Sequence, residues 1–429
     1  MIKRIINPPE KRWEKINTRP NYSSHDVENT VIEIFESVRK SGDKALIKYA
    51  EKYEGVKLKK IIVKQEKIDN SKNFIPKSLK DSIKIAKKNI EKFHISQRSK
   101  SDHIIIEKGI ECWQEKRPIE KVGLYIPGGS APLFSTILML AIPAKIAGCD
   151  EIIICTPPNS KGEIPSVILY TCYLCGISKI YKVGGAQAIA AMTFGTESIP
   201  GVYKIFGPGN QYVTSAKQYA TKFKVSIDLP AGPSELLIYA DETAISKYVA
   251  SDFLSQTEHG PDSQVILVTT NEKIIDPIIK EIKRQISYLN KKEFIRKSIQ
   301  NSKIIYFDLK ERAVKYINDY APEHYIICSK EEEYFIQNLK NAGSVFIGNY
   351  SCESLGDYAS GTNHTLPTNG CAKQYSGVNL NSFLKQISFQ KITAQGIQKI
   401  GPAVEIMSIA EGLDAHQNSV TIRLKDLKK

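Results

Sequence analysis

The chain is 429 residues long, 41% hydrophobic and 25% charged, with a formal net charge of +14. That length exceeds what one hydrophobic core usually organises, so two or more domains are expected; no apolar run approaches the roughly 18 residues a membrane-spanning helix needs, and even Leu133 to Ala147 is broken by Ser135, Pro143 and Lys145. The charge excess rests on 50 lysines against 10 arginines spread along the whole chain, which describes a solvated lysine surface and excludes the clustered arginines of a nucleic-acid face.

Met1-Ile-Lys-Arg-Ile-Ile-Asn-Pro-Pro-Glu has only a broken apolar run and no small-residue cleavage site, so no secretory leader is expected and a cytoplasmic location follows. Val27 to Tyr53 and Pro76 to Phe93 then read as helices joined by polar linkers. From Val122 onward, short apolar runs alternate with helical patterns between glycine turns. Val122-Gly-Leu-Tyr-Ile, Glu151-Ile-Ile-Ile-Cys, Lys179-Ile-Tyr-Lys-Val and Tyr203-Lys-Ile-Phe predict parallel strands. Ala131 to Ala147, Ile164 to Cys175, Ala186 to Phe194 and Gln211 to Phe223 are each long enough for a crossover helix. Glu235-Leu-Leu-Ile-Tyr, Gln264-Val-Ile-Leu-Val-Thr and Lys303-Ile-Ile-Tyr-Phe predict a second α/β unit. From Asn379 the character changes: Ser382 to Thr393 is short and amphipathic, Ala403 to Glu411 reads as a modest helix, and such a tail is expected to pack on another surface.

The eight cysteines, at 112, 149, 155, 172, 175, 328, 352 and 371, sit mostly among apolar or small residues and read as reduced thiols. Cys172 and Cys175 form a C-x-x-C, but inside an apolar helix ending at Gly176 and with no second pair to complete a metal site. Three glycine turns, Pro127-Gly-Gly-Ser, Gly184-Gly-Ala-Gln and Gly207-Pro-Gly-Asn, follow strands and precede helices. There backbone N–H groups can meet a pyrophosphate, although none matches G-x-G-x-x-G and each suits a plain structural turn as well.

Ser255-Gln-Thr-Glu-His-Gly-Pro ends a helical pattern, and Gln256 and His259, three apart, project from one face. Asp357 in Ser354-Leu-Gly-Asp-Tyr and His416 in Gly412-Leu-Asp-Ala-His would complete four oxygen and nitrogen ligands of a kind zinc accepts. Ala321-Pro-Glu-His places Glu323 and His324 before an apolar strand, either as a proton-transfer pair facing a cleft or as a solvated strand start. His25, His94 and His103 lie in lysine-rich contexts and are expected at the surface, whereas His364 falls in a Gly/Asn/Pro loop of the kind that carries function.

Taken in order, Gly123-Leu-Tyr-Ile-Pro-Gly-Gly, Gly184-Gly-Ala-Gln-Ala-Ile-Ala-Ala, Gly207-Pro-Gly-Asn, Leu229-Pro-Ala-Gly-Pro-Ser-Glu, Ser255 to Gln264, Ala321-Pro-Glu-His, Gly356-Asp-Tyr-Ala-Ser-Gly-Thr-Asn-His and Gly412-Leu-Asp-Ala-His resemble the histidinol dehydrogenase family, over about Arg19 to Leu424. The resemblance implies an α/β fold of two Rossmann-like domains with parallel-rich sheets and small helical terminal regions, in an intertwined homodimer. Its segments would be an N-terminal extension (1–20), a zinc and catalytic domain (21–120 with 233–378), an NAD domain (121–232) and a dimerisation tail (379–429). It implies one zinc ion held by Gln256, His259, Asp357 and His416, and Glu323 and His324 as the acid/base pair. It also implies substrate contacts from Ser234, His364 and Glu411 together with the zinc and acid/base residues, and an NAD site lined by Tyr125, Gln187 and Asn210. The crossed tails would carry Glu411 and His416 into the partner's active site.

The reaction so implied is the four-electron oxidation of L-histidinol through L-histidinaldehyde to L-histidine with two NAD and one water, the last steps of histidine biosynthesis, with neither nucleic acid nor membrane as partner. His324, near its ordinary pKa, would take the alcohol proton, Glu323 would activate the water that hydrates the aldehyde, and zinc would anchor the substrate's imidazole and amine. No cysteine lies in a matched motif, so water attack is expected and not a thioester. Two other classes would use parts of the same residue set: a zinc hydrolase needing no NAD, and a nucleic-acid binder using the positive charge.

Overall fold

The computed structural model describes residues 2–20, 24–99, 103–128, 132–230, 232–290 and 292–428, and the side chains of Ser24 and His25 lie outside that description. So do Gly129 and Ser130 of the first glycine turn and Ala131, where its crossover helix was expected to begin. The chain divides into two compact units, residues 1–97 with 120–382 and residues 98–119 with 383–429. Among the described residues no helix is long and apolar enough to cross a membrane.

Strands are numbered β1 to β14 in chain order. The first unit holds two all-parallel sheets. One has six strands in the order β1 (Lys3–Ile6), β11 (Lys303–Tyr306), β10 (Gln264–Thr269), β9 (Glu235–Ala240), β12 (His324–Cys328) and β13 (Ser344–Ile347). Every residue of β9, β10 and β12 is buried, because helices cover both faces of a parallel sheet, and the strands are apolar apart from Glu235, Gln264, Thr269 and His324. Strand β1 was not anticipated: three of its four residues are exposed, so its hydrophobic signal is weak, and it is held as an edge by pairing Lys3 with Lys303 through Ile6 with Tyr306.

The other sheet has five strands in the order β6 (Lys179–Lys182), β5 (Glu151–Thr156), β4 (Lys121–Tyr125), β7 (Lys204–Phe206) and β8 (Ser226–Ile227). Helices Phe134–Ala147, Ser166–Leu174, Gly185–Phe194 and Gln211–Ala220 connect or flank these strands, as the alternation of patterns requires. The long Ser24–Tyr49 helix is kinked at Gly42 (φ 50°, ψ −129°) and packs its Val31, Ile34, Phe35, Val38 and Leu46 into the core of this five-stranded sheet. The helix follows its apolar stripe onto Ile189, Val213 and Ala216.

Residues 17–20 lock the N-terminus to the six-stranded sheet. Arg19 donates through Nε at 2.6 Å and Nη2 at 3.1 Å to both carboxylate oxygens of buried Glu235, and through Nη2 at 2.7 Å to the Tyr320 carbonyl. Its guanidinium lies 4.0 Å above the Tyr320 ring.

The second unit is an antiparallel sheet in the order β14 (Leu384–Ile392), β3 (Ile110–Pro118) and β2 (Ile104–Glu107), followed by helices Ala394–Ala410 and Asp414–Asp426. The modest tail helix expected from Ala403 starts nine residues earlier, where the Thr393 hydroxyl caps it by accepting from the Gly396 N–H, and it runs through Pro402. Trp113 stacks between His103 and Phe389 at centroid distances of 4.6 and 5.3 Å, and His103 is exposed as expected.

Replacing Arg19 with Met leaves the Glu235 carboxylate buried without its cation. Such a loss costs about 3–5 kcal/mol, and urea unfolding should read it as a large drop in midpoint at unchanged slope. A shift worth less than ~1 kcal/mol would contradict this anchoring role.

Candidate active site

Helix Lys310–Tyr320 ends on Ala321, a non-glycine residue in the left-handed region (φ 52°), and Pro322 then turns the chain into β12. The turn delivers Glu323 and His324, only 5% and 3% exposed, to the amino-terminal edge of the six-stranded sheet. Glu323 Oε2 accepts from the Glu235 N–H at 2.8 Å and lies 3.5 Å from His324 Nδ1, which donates to the Glu235 carbonyl at 3.3 Å. The other ring nitrogen, Nε2, is buried without a hydrogen-bond partner and faces Asp357 Oδ1 at 3.6 Å. The solvated strand start is thus ruled out for this pair.

Gln256, fully buried, sits in the last turn of helix Ser246–Thr257, and His259 follows just beyond it with its side chain 44% exposed. Helix Glu353–Tyr358 brings Asp357 and a residue the sequence reading passed over, Glu353. One ligand atom each from His259, Glu353 and Asp357 lies within 4.8 Å of the others. Glu353 is fully buried and lies 3.9 Å from both His259 Nε2 and His324 Nδ1. Its signal was its place four residues before Asp357, on the same helical face.

His364 is fixed from both sides. Its Nδ1 donates to the Asp357 carbonyl at 2.9 Å, and Nε2 accepts from Thr136 Oγ1 at 3.3 Å. The neighbouring Asn363 donates to the Met139 carbonyl at 2.6 Å and to His94 Nε2 at 3.4 Å. His94 is therefore not the surface group its lysine-rich context suggested. It continues the stripe Ile83, Ala86, Ile90 of helix Lys77–Ile95 and is fully buried, with Nδ1 donating to the Ile90 carbonyl.

The electrostatics follow from shared burial. Burial alone would lower the His324 pKa, but the charges of Glu353 and Glu323 and the nearby Asp357 carboxylate outweigh it and hold the imidazole well above its ordinary value. The expectation of a near-normal pKa is corrected on this point. Burial raises Glu323 and Glu353, whereas His324 holds Asp357 below the usual carboxylate value against its own burial. Burial also pushes the thiols of Cys149, Cys175 and Cys328 up to about 12, and Cys155 and Cys172 upward too, which leaves them poor nucleophiles.

Across from Glu323 lies the carboxyl edge of the five-stranded sheet. A cavity of about 100 Å³ is lined by Ser234, Glu323 and His364 on one side and by Gly207, Pro208 and Gly209 on the other. Gly207 has φ 128°, and a Cβ there would come within 2.1 Å of the Tyr125 carbonyl. Its N–H donates at 2.8 Å to Asp228, and its carbonyl accepts at 2.8 Å from Lys217, which pairs with Asp228 in full burial. Of the three positions expected to line the cofactor site, Tyr125 and Gln187 are buried and Asn210 is exposed. The Tyr125 hydroxyl accepts from the Gly185 N–H at 3.0 Å, and Asn210 Oδ1 caps the next helix at Tyr212 and Val213. These side chains already satisfy N–H groups that the glycine turns would otherwise offer to a pyrophosphate. Glu411 and His416 belong to the second unit, where both are exposed.

Comparison with known proteins gives one consistent result. A family model described as histidinol dehydrogenase matches residues 17–424. The chain is 51% identical over 428 residues to "Histidinol dehydrogenase" of Bacteroides fragilis, covering 100% of both, and 46% identical over 428 residues to the Arabidopsis thaliana protein named "Histidinol dehydrogenase, chloroplastic", covering 99% of this chain and 91% of that one. A crystal structure of histidinol dehydrogenase from Elizabethkingia anophelis superposes with a TM-score of 0.97 at 51% identity, over 100% of this chain and 99% of that one.

Asp252, one turn before Gln256 and 7% exposed, is pushed up by burial to about 7. An unfolded aspartate titrates near ~4, so in that interval the folded chain holds a proton the unfolded chain has lost, and the associated stability fades as pH rises from about 4 through 7. Asp252→Asn removes the titration. Its thermal stability relative to the parent should therefore improve by on the order of 2 kcal/mol between pH 5 and pH 8, whereas a pH-independent difference would contradict the shift.

Proposed function

Because the chain belongs to the histidinol dehydrogenase family, an oxidoreductase family of histidine biosynthesis, we propose that it oxidises L-histidinol through L-histidinaldehyde to L-histidine with two NAD and one zinc ion per site. The single observation that carries this reading is the convergence of His259 and Asp357 with the Glu323 and His324 pair, distant in sequence but adjacent at one buried edge. Imidazole, carboxylate and amide oxygen are donors zinc accepts, and the unpartnered His324 Nε2 beside them is poised for a substrate proton.

Zinc would be held by Gln256 Oε1, His259, Asp357 and the partner subunit's His416. When bound, it supplies an anchor for the substrate's imidazole and amine and a positive charge that offsets the carboxylates around His324. Tyr125, Gln187 and Asn210 would line the site of NAD, which supplies the hydride acceptor for each oxidation.

The chain's own groups do the rest. Ser234 and His364 line the cavity from the substrate side and orient the amino alcohol, together with Glu411 of the partner subunit. His324 takes the hydroxyl proton as the C–H hydride leaves, giving the aldehyde. Glu323, whose burial raises its pKa and so makes its carboxylate a stronger base, takes a proton from the water that adds to the aldehyde carbon. One of the pair then accepts the diol proton as the second hydride leaves, and the carboxylic acid ionises to product. The sum is two hydrides and three protons lost and one water gained.

Assembly as a homodimer with a shared site is part of the same proposal. Its support is the run of exposed apolar side chains in the second unit, Ile104, Ile105 and Ile106 on β2 and Ile406, Met407 and Ile409 on the Ala394–Ala410 helix. The division into a zinc and catalytic domain, an NAD domain and a dimerisation tail is proposed with it.

Adding L-histidinol to the chain with zinc and NAD should produce two NADH per alcohol consumed, read at the NADH absorbance band. A chelator should abolish the rate and zinc restore it. No NADH from zinc-replete protein would end the proposal. Glu323→Gln should lower aldehyde oxidation by at least ~100-fold. For the shared site, His324→Asn and His416→Asn chains, each inactive alone, should regain activity when unfolded and refolded together. No recovery in the mixture would argue against a site built from two subunits.

A further inference from the structure

Glu353 is fully buried among the candidate zinc ligands, yet the reaction gives it no task. Its closest polar neighbour is Gln256. With the amide oxygen of Gln256 turned to an ionised Glu353 carboxylate, three acceptors would face one another without a proton between them. With the nitrogen turned there, it donates to Glu353 Oε1 at 2.8 Å and Oε2 at 3.3 Å. Both residues are wholly buried, so no water competes for that nitrogen.

We propose that Glu353 is a positioning residue of the metal site: by accepting from the Gln256 amide nitrogen it fixes the amide plane and leaves Oε1 as the atom available to a cation. An amide presents a donor and an acceptor of nearly equal size, and only the acceptor can ligate a metal. A free Gln256 would divide itself between two orientations, one of them useless. Glu353 selects the useful one through a bond that a carboxylate makes strongly. It reaches this place because it opens the Glu353–Tyr358 helix four residues before Asp357, so one helical face carries both the ligand and the group that orients its neighbour. Partners of metal ligands act in this way generally, and their loss weakens metal binding by about 10–100-fold.

This inference rests on the zinc reading above, and the experiment separates the two. Zinc alone is titrated into chelator-treated full-length chain against a chromophoric competitor, with melting temperature as a folding control. Glu353→Gln keeps a carbonyl acceptor at the same reach and should bind zinc within about threefold of the parent. Glu353→Asp keeps the charge but withdraws the acceptor by a methylene, and should bind at least ~10-fold more weakly. The reverse order, a large loss in E353Q and little in E353D, would assign Glu353 a charge or direct ligand role and overturn the proposal. Tight zinc binding by the parent and equally by E353D overturns it while sparing the zinc reading; no zinc binding by the parent removes both. If E353D does not fold, E353Q decides alone, since a tenfold loss there overturns the proposal and near-parental binding supports it.

Discussion

Four ionisable side chains, Glu323, His324, Glu353 and Asp357, are taken out of water together, and the site depends on their company. Any one of them buried alone would be neutralised by its desolvation, because a single charge in a dry interior costs several kcal/mol. Gathered around one imidazole, they offset one another enough to remain at the sheet edge, each with a different proton affinity. A group of that kind has a net appetite for positive charge, which suits it to a cation and to a substrate carrying an amine.

The architecture that assembles this group departs from the usual pattern of parallel sheets. Ligands in open α/β folds commonly lie beyond the carboxyl ends of the strands. Here the five-stranded sheet follows that rule, with Tyr125 and the Gly207 turn at its carboxyl edge, while the six-stranded sheet presents its amino-terminal edge through Glu235, Glu323 and His324. The two edges face each other across the small cavity, one presenting Glu323 and the other a glycine turn.

What could be read beforehand depended on how completely each element is buried. Strands β4, β5, β9 and β10 carry near-continuous apolar runs after a polar first residue because both faces are covered, and their patterns stood out. Strand β14 carries apolar residues at 384, 387, 389 and 392, a spacing between the strand and helix periods, and so left only an amphipathic impression. Helix Asp414–Asp426 buries no residue and offered no stripe to detect. Of the candidate site residues, Glu323, His324, Gln256, His259, Asp357, His364 and His416 stood out by local residue type and spacing, and family likeness added Ser234, Glu411, Tyr125, Gln187 and Asn210. Glu353 was missed because a glutamate in the first turn of a helix is ordinarily a solvated partner of the helix dipole, and nothing local says that this one points inward.

The Gly207 turn closes one position of the molecule to chemical variety. With the Tyr125 carbonyl where a methyl group would stand, and with its N–H and carbonyl both engaged by the buried Asp228 and Lys217 pair, that residue tolerates neither a side chain nor a change of direction. Variation is left to Pro208, Gly209 and the exposed Asn210 beyond, so the turn is a fixed point of backbone around which only the rim can be altered.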